Sequence, residues 1–162
     1  MSFFTKETFL LLGGGGMIGQ QIALEIAREL DPQRIIICAL KQQEVDQAVE
    51  NIRRDFPGVG IIGVAGDVFV RREWNPPAHQ NPILRAQLLE NESHRQSLYE
   101  DLFLDRDRAY ENSELVRLII EYKPEVVIDS INTATANHCQ TRRTRHIPCH
   151  SERSRGISQI HG

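Results

Sequence analysis

The residues Gly13-Gly-Gly-Gly-Met-Ile-Gly19 have types and spacing that could do chemistry. Gly14, Gly16 and Gly19 fit G-x-G-x-x-G, and Gly13, Gly16 and Gly19 fit G-x-x-G-x-x-G equally well. Glycines at such positions let the chain turn tightly, let the backbone approach a pyrophosphate, and let a helix lie close on a strand. The amides at the start of the helix, around Met17 and Ile18, would face the phosphates, with the helix dipole aiding them. A plain glycine-rich turn is the competing explanation. The apolar run before the glycines and the amphipathic pattern after them favour the phosphate reading, because the motif has meaning only between a strand and a helix.

Other groups with chemical potential are sparser. Asp129, Ser130, Asn132 and Thr133 follow a second apolar run late in the chain. Ligands of open α/β sheets sit beyond the carboxyl ends of strands, so these residues are candidates for the ribose or nicotinamide side. Strand termination by small polar residues explains them equally well. His138, Cys139, His146, Cys149 and His150 cluster near the C-terminus, but they lack the paired short spacings of a zinc site, and no metal is expected. His79 and His94 have no acidic or nucleophilic companion at useful spacing and read as surface residues.

The elements that must position the glycines alternate regularly. Thr8 to Leu12 reads as a strand covered on both faces. A helix follows from about Met17 to Leu30, with Ile18, Ile22, Ile26 and Leu30 on one stripe and Ala23 and Ala27 beside them. Arg34 to Leu40 is the second strand, about Glu44 to Phe56 the second helix, and Gly60 to Val64 the third strand. Arg71 to Pro82 is a proline-rich loop, and a helix covers about Ile83 to Glu90. Ser93-His-Arg-Gln96 reads as a capping box opening a helix with Leu98, Leu102 and Phe103 buried. A further helix from about Arg108 ends at Lys123-Pro124, and Glu125 to Asp129 is the fourth strand. The expected fold class is α/β, a Rossmann-like doubly wound parallel sheet truncated after its fourth strand. Residues 1–136 form the expected domain, with an insertion at about 71–107 that could lid a site or cover a sheet edge.

Composition sets limits on this picture. The chain is 40% hydrophobic and 25% charged, enough for a core, and its net charge of −3 gives no pull toward nucleic acid or an anionic membrane. Glycines interrupt the first apolar run too early for a signal sequence or membrane span, and Cys38 reads as a buried reduced thiol. A cytoplasmic location is expected. Residues 137–162 differ sharply. They hold five of the 19 basic residues and one of the 22 acidic ones, a net +4, and no Phe, Tyr or Trp. They read as a disordered extension with no specific nucleic-acid partner.

From Thr8 to Ala136 the chain resembles the nucleotide-binding half of the short-chain dehydrogenase/reductase superfamily, in its extended NAD-dependent epimerase/dehydratase branch. Three stretches carry the likeness: the glycine motif, Gly66-Asp67-Val68 after the third strand, and Tyr122-Lys-Pro-Glu-Val-Val-Ile128. The resemblance implies NAD or NADP binding, hydride transfer on a sugar nucleotide or related substrate, and an Asp67 placed against the adenine. Classical members carry an acid at the end of the second strand, whereas here Lys41 follows Leu40. A cation there suits the 2′-phosphate of NADP, though a solvated lysine opening a helix explains it as well. The family's Tyr-x-x-x-Lys is absent, since Phe103, Glu114 and Val126 stand four residues after Tyr99, Tyr110 and Tyr122. A non-catalytic nucleotide-binding module, or an inactive truncated fragment, is therefore the alternative to an enzyme. A fourth strand with nothing beyond it would also be an open edge, available for self-association.

Overall fold

A computed structural model of the chain describes residues 7–75 and 85–131. Asn132, Thr133, His79, most of the proline-rich segment and the basic C-terminal stretch lie outside the described residues. The elements in order are β1 (Thr8–Leu12), α1 (Met17–Glu29), β2 (Arg34–Ala39), α2 (Gln42–Asp55), β3 (Gly60–Ala65), a 3₁₀ turn (Arg72–Trp74), α3 (Arg85–Glu90), α4 (Glu92–Phe103), α5 (Arg106–Asn112), α6 (Glu114–Tyr122) and β4 (Val126–Asp129). The strands form one sheet in the order β3-β2-β1-β4, and every pairing is parallel. The chain steps outward from β1 to β3, then crosses back to place β4 on the other side of β1. That reversal makes the fold Rossmann-like and puts the topological switch point at the carboxyl ends of β1 and β4.

The alternation of side chains along β1 and β2 explains why both faces are covered. Phe9, Leu11, Ile35 and Ile37 point to one face, where they meet Ala23, Ile26 and Ala27 of α1 and Val45, Ala48 and Ile52 of α2. Leu10, Leu12, Ile36 and Cys38 point to the other, where Leu118 of α6 and Val68 close over them. Leu10, Leu11, Ile35, Ile36 and Ile37 are fully buried. Each such side chain contributes about 1.5–3 kcal/mol of transfer free energy, so the two central strands anchor the domain. Glu125 ties β4 to β1 at its start: its carboxylate accepts from the Thr8 amide at 2.6 Å, and its own amide donates to the Thr8 carbonyl at 3.0 Å.

Four expectations in the crossover fail for physical reasons. The helix expected to run from about Arg108 is two helices. Ser113 breaks it with extended backbone (φ −64°, ψ 130°), pairs with Arg71 as an antiparallel bridge, and caps α6 through its hydroxyl. The adjacent Glu114 amide donates to the Val70 carbonyl, so a tertiary contact overrides local helical preference. The cap of α4 is Asn91, not Ser93. The Asn91 side-chain oxygen accepts from the amides of Ser93 and His94, and Gln96 donates forward to Glu100 instead of folding back. Leu102 and Phe103 are exposed, at 70% each. The small core that α4 serves, Val70, Trp74 and Leu88, reaches only as far as Leu98. His94 is not a free surface residue either: it lies half-buried against the Trp74 ring, at 5.4 Å between centroids.

Candidate functional site

The glycine loop connects the carboxyl end of β1 to the first turn of α1. Gly13 has φ +78°, a conformation that side chains disfavour, and a Cβ there would stand 3.0 Å from the backbone of Ser130 and Ile131. The loop therefore passes directly under the segment leaving β4. Gly19 lies against the Gly13 carbonyl and the Gly14 Cα, so α1 can approach the loop only without a side chain at that position. Gly14 faces inward: its missing Cβ would meet Ile37 Cγ2 at 2.9 Å and Leu11 Cβ at 3.2 Å. The missing side chain at Gly14 thus serves packing against the sheet. Gly16 is different. A Cβ there would touch only the Gly13 carbonyl, at an ordinary 3.4 Å.

Gly16 is also the N-cap of α1, in extended backbone, with no side chain capping the helix and no acid in its first turn. The Gly16 amide is used in the loop, donating to the Gly13 carbonyl at 3.0 Å. The first-turn amides beyond it have no intrahelical acceptor, as at any helix start. Met17 and Ile18 are 83% and 59% exposed, leaving that end open. The result is an uncapped, positively polarised helix terminus at the topological switch point, the arrangement that takes an anion.

Two residues that the sequence did not single out hold the loop. Gly15 lies so close to the end of β2 and the start of α2 that a Cβ would stand 2.5 Å from Ala39 Cβ and 3.1 Å from Glu44 Cβ. The Gln20 side chain donates to the Gly15 carbonyl at 2.8 Å and accepts from Asn51 of α2 at 3.2 Å, bracing the loop against the second helix. Nothing in the spacing announces a glutamine in this role.

The other predicted site residues divide among three places. Ser130 reaches the switch point: both its amide and its hydroxyl donate to the Leu12 carbonyl, at 2.9 and 2.8 Å. Asp129 accepts from the Ile131 amide at 2.9 Å, which turns the chain away from β4. Lys41 sits at the N-cap of α2, exposed, with its ammonium 3.5 Å from Glu44. Val68 is buried in the core beneath α6, so only its backbone could meet a ligand.

Asp67 is buried at the end of β3. Its carboxylate accepts from the Phe69 amide at 3.0 Å and is clamped by Arg85 at 2.7–3.1 Å. Asn75 fixes the main chain at the same point, accepting from the Asp67 amide at 2.7 Å and donating to the Asp67 carbonyl at 3.1 Å. Arg85 follows Asp67 by 18 residues, a separation that carries no sequence signal.

Two ionisable groups, Cys38 and Tyr122, are held away from acid–base work at neutral pH. Burial pushes the Cys38 thiol up to about 12, helped by the nearby Glu114 carboxylate, so it is inert at neutral pH. Burial likewise raises the Tyr122 phenol, with Glu121 adding to the shift. Among the described residues there is no cluster of three or more His, Cys, Asp or Glu that could hold a metal, and no helix long and apolar enough to cross a membrane.

No protein-family model matches the chain, and no curated protein sequence matches it. Similar solved structures include two crystal forms of the bulky-bulky ketone specific alcohol dehydrogenase from Comamonas testosteroni. The orthorhombic form is 13% identical with a TM-score of 0.40, covering 78% of this chain and 55% of that one. The tetragonal form is 13% identical with a TM-score of 0.36, covering 76% of this chain and 72% of that one. The chain thus spans little more than half the length of the first of these.

Proposed function

We propose that this chain binds NAD or NADP by its pyrophosphate, as the cofactor-binding half of an oxidoreductase of the short-chain dehydrogenase or sugar-nucleotide epimerase/dehydratase type. The observation that carries the reading is the uncapped first turn of α1 at Gly16, open to solvent and following directly on the glycine loop that passes under the segment leaving β4. The amides of that turn would bind the pyrophosphate oxygens, and Gly16 would let them approach. Gly13, Gly14, Gly15 and Gly19 keep the loop tight against its surroundings. The adenine half would extend toward the ends of β2 and β3, and the nicotinamide half toward Ser130. A bound nicotinamide would supply the hydride acceptor, while the protein's part is to hold and orient it.

NADP is slightly favoured over NAD, since no acid follows β2 and Lys41 does. Lys41 is exposed and shares its charge with Glu44, so its contact with a 2′-phosphate would contribute less than about 1 kcal/mol, about fivefold in affinity. Calorimetric titration of both dinucleotides into the intact chain and into Gly16→Val tests the reading. Micromolar to millimolar binding that the variant loses is expected; equal affinity in Gly16→Val would sink it.

A non-catalytic nucleotide-binding role is the second reading, favoured by one fact: none of the three tyrosines has a lysine four residues on. Loss of general acid–base help alone costs about 10²–10⁴-fold in rate. No steady-state cofactor reduction with sugar nucleotides is then expected. Turnover abolished by a Gly16 substitution would restore the catalytic reading.

A further inference from the structure

We infer that Arg85, and not Asp67, is the group that meets the nucleobase at the end of β3, and that it makes the site indifferent to the substituent at the base's 6-position; this rests on the dinucleotide reading above. An adenine amino group is a donor and needs an acceptor with a free lone pair. A carboxylate offers about four such positions. In Asp67 all are engaged. Oδ1 accepts from the Phe69 amide at 3.0 Å and from Arg85 Nη2 at 3.0 Å, and Oδ2 accepts from Arg85 Nη2 at 2.7 Å and Nε at 3.1 Å. The side chain is only 9% exposed, against 52% for Arg85, so the guanidinium covers the carboxylate.

Asp67 also has little freedom to swing out. Its amide and carbonyl are both bonded to the Asn75 side chain. Gly66 before it has φ +150°, and a Cβ at that position would stand 2.5 Å from Asn75 Oδ1, so the turn is closed around the asparagine.

What the turn does present to a ligand is flat and tolerant. A guanidinium fixed in plane by a bidentate carboxylate can stack on any base. Phe69, 50% exposed on the same turn, adds an aromatic face. Stacking of this kind does not distinguish an amino group from a keto group, because every base has a π-face.

The test compares NAD with nicotinamide hypoxanthine dinucleotide, in which a keto oxygen replaces the amino group. Both are titrated into the intact wild-type chain, Arg85→Ala and Arg85→Lys. Wild type binds the two within about threefold. Arg85→Ala uncovers Asp67 and creates a preference for adenine of about tenfold or more, the size of one hydrogen bond to a charged acceptor. Arg85→Lys keeps the charge but replaces the planar two-nitrogen fork by a single, shorter-reaching ammonium that covers the carboxylate less completely. It shows a smaller preference of the same sign and serves if the alanine variant does not fold. A wild-type preference for adenine above about tenfold overturns the inference and leaves dinucleotide binding intact. So does a folded, binding Arg85→Ala, or Arg85→Lys in its place, with no preference. Wild type that binds neither dinucleotide overturns the dinucleotide reading, and this inference with it.

Discussion

Replacing Gly19 and Gly16 one at a time separates the two jobs that glycine does in the loop. A Cβ on residue 19 would collide with the Gly13 carbonyl oxygen and stand 2.6 Å from the Gly14 Cα. Both obstacles are backbone, so α1 must shift or the loop must open. Overpacking of this kind costs about 1–3 kcal/mol. Alanine is a better helix former than glycine by about 0.5–1 kcal/mol in a helix interior, which offsets part of that cost. Gly19→Ala is therefore expected to lose about 1–2 kcal/mol of folding stability. Gly16→Ala meets only one atom, at 3.4 Å, and its backbone is extended, so stability should stay within about 0.5 kcal/mol of wild type. Its Cβ stands where a pyrophosphate must approach, so dinucleotide affinity should fall about tenfold or more. Urea denaturation and calorimetric titration on the same samples give both numbers. Gly16→Ala with undiminished affinity, or Gly19→Ala as stable as wild type, would show that the loop is not organised as described.

Asp101 compensates the buried guanidinium of Arg71 through bonds of 2.6 and 2.7 Å, with the two side chains 14% and 7% exposed. Asp101→Ala should cost about 3 kcal/mol in urea unfolding, the low end for a broken buried pair, because Glu73 remains 3.5 Å from Arg71. Cys38 should resist iodoacetamide in a Cys139→Ser, Cys149→Ser background until the chain unfolds. Its folded pKa of about 12 lies above the ordinary 9.0, so the unfolded chain releases its proton first and stability should fall as pH rises from 9 to 12, by about 1.4 kcal/mol per unit. No loss of stability above pH 9 would contradict this burial. Among the described residues β4 pairs only with β1, and Val127 is 47% exposed, so the chain should self-associate through this edge. Light scattering should show dimers or larger species that Val127→Lys reduces; a monodisperse monomer unaffected by the substitution would show that the edge is covered. Lys41→Ala should reduce any preference for NADP over NAD by no more than about fivefold in paired titrations.

The strands, the first two helices and the glycine loop were legible in the sequence because each rests on a local pattern. An unbroken apolar run such as Leu10 to Leu12 or Ile35 to Ile37 has to be covered on both faces, and the helix pattern after the glycines has to stop at Asp31-Pro32; the helix lies on the sheet through Ala23, Ile26 and Ala27, however, while Ile18 and Leu30 of the expected stripe are exposed. The type of each glycine was legible too, but its direction was not. Gly14 and Gly16 are interchangeable as letters in the motif. Only the packed structure shows that one faces Ile37 in the core and the other meets nothing but the Gly13 carbonyl at 3.4 Å. The crossover defeated pattern reading because its outcome was decided by distant partners: Ser113 breaks a helix to bridge Arg71, and Asn91 outcompetes Ser93 for the α4 cap. Asp67 is the clearest case. An acid after β3 can be read in the sequence as a ligand contact. Whether its lone pairs are free depends on Arg85 folding back across 18 residues, and that closure belongs to tertiary structure alone.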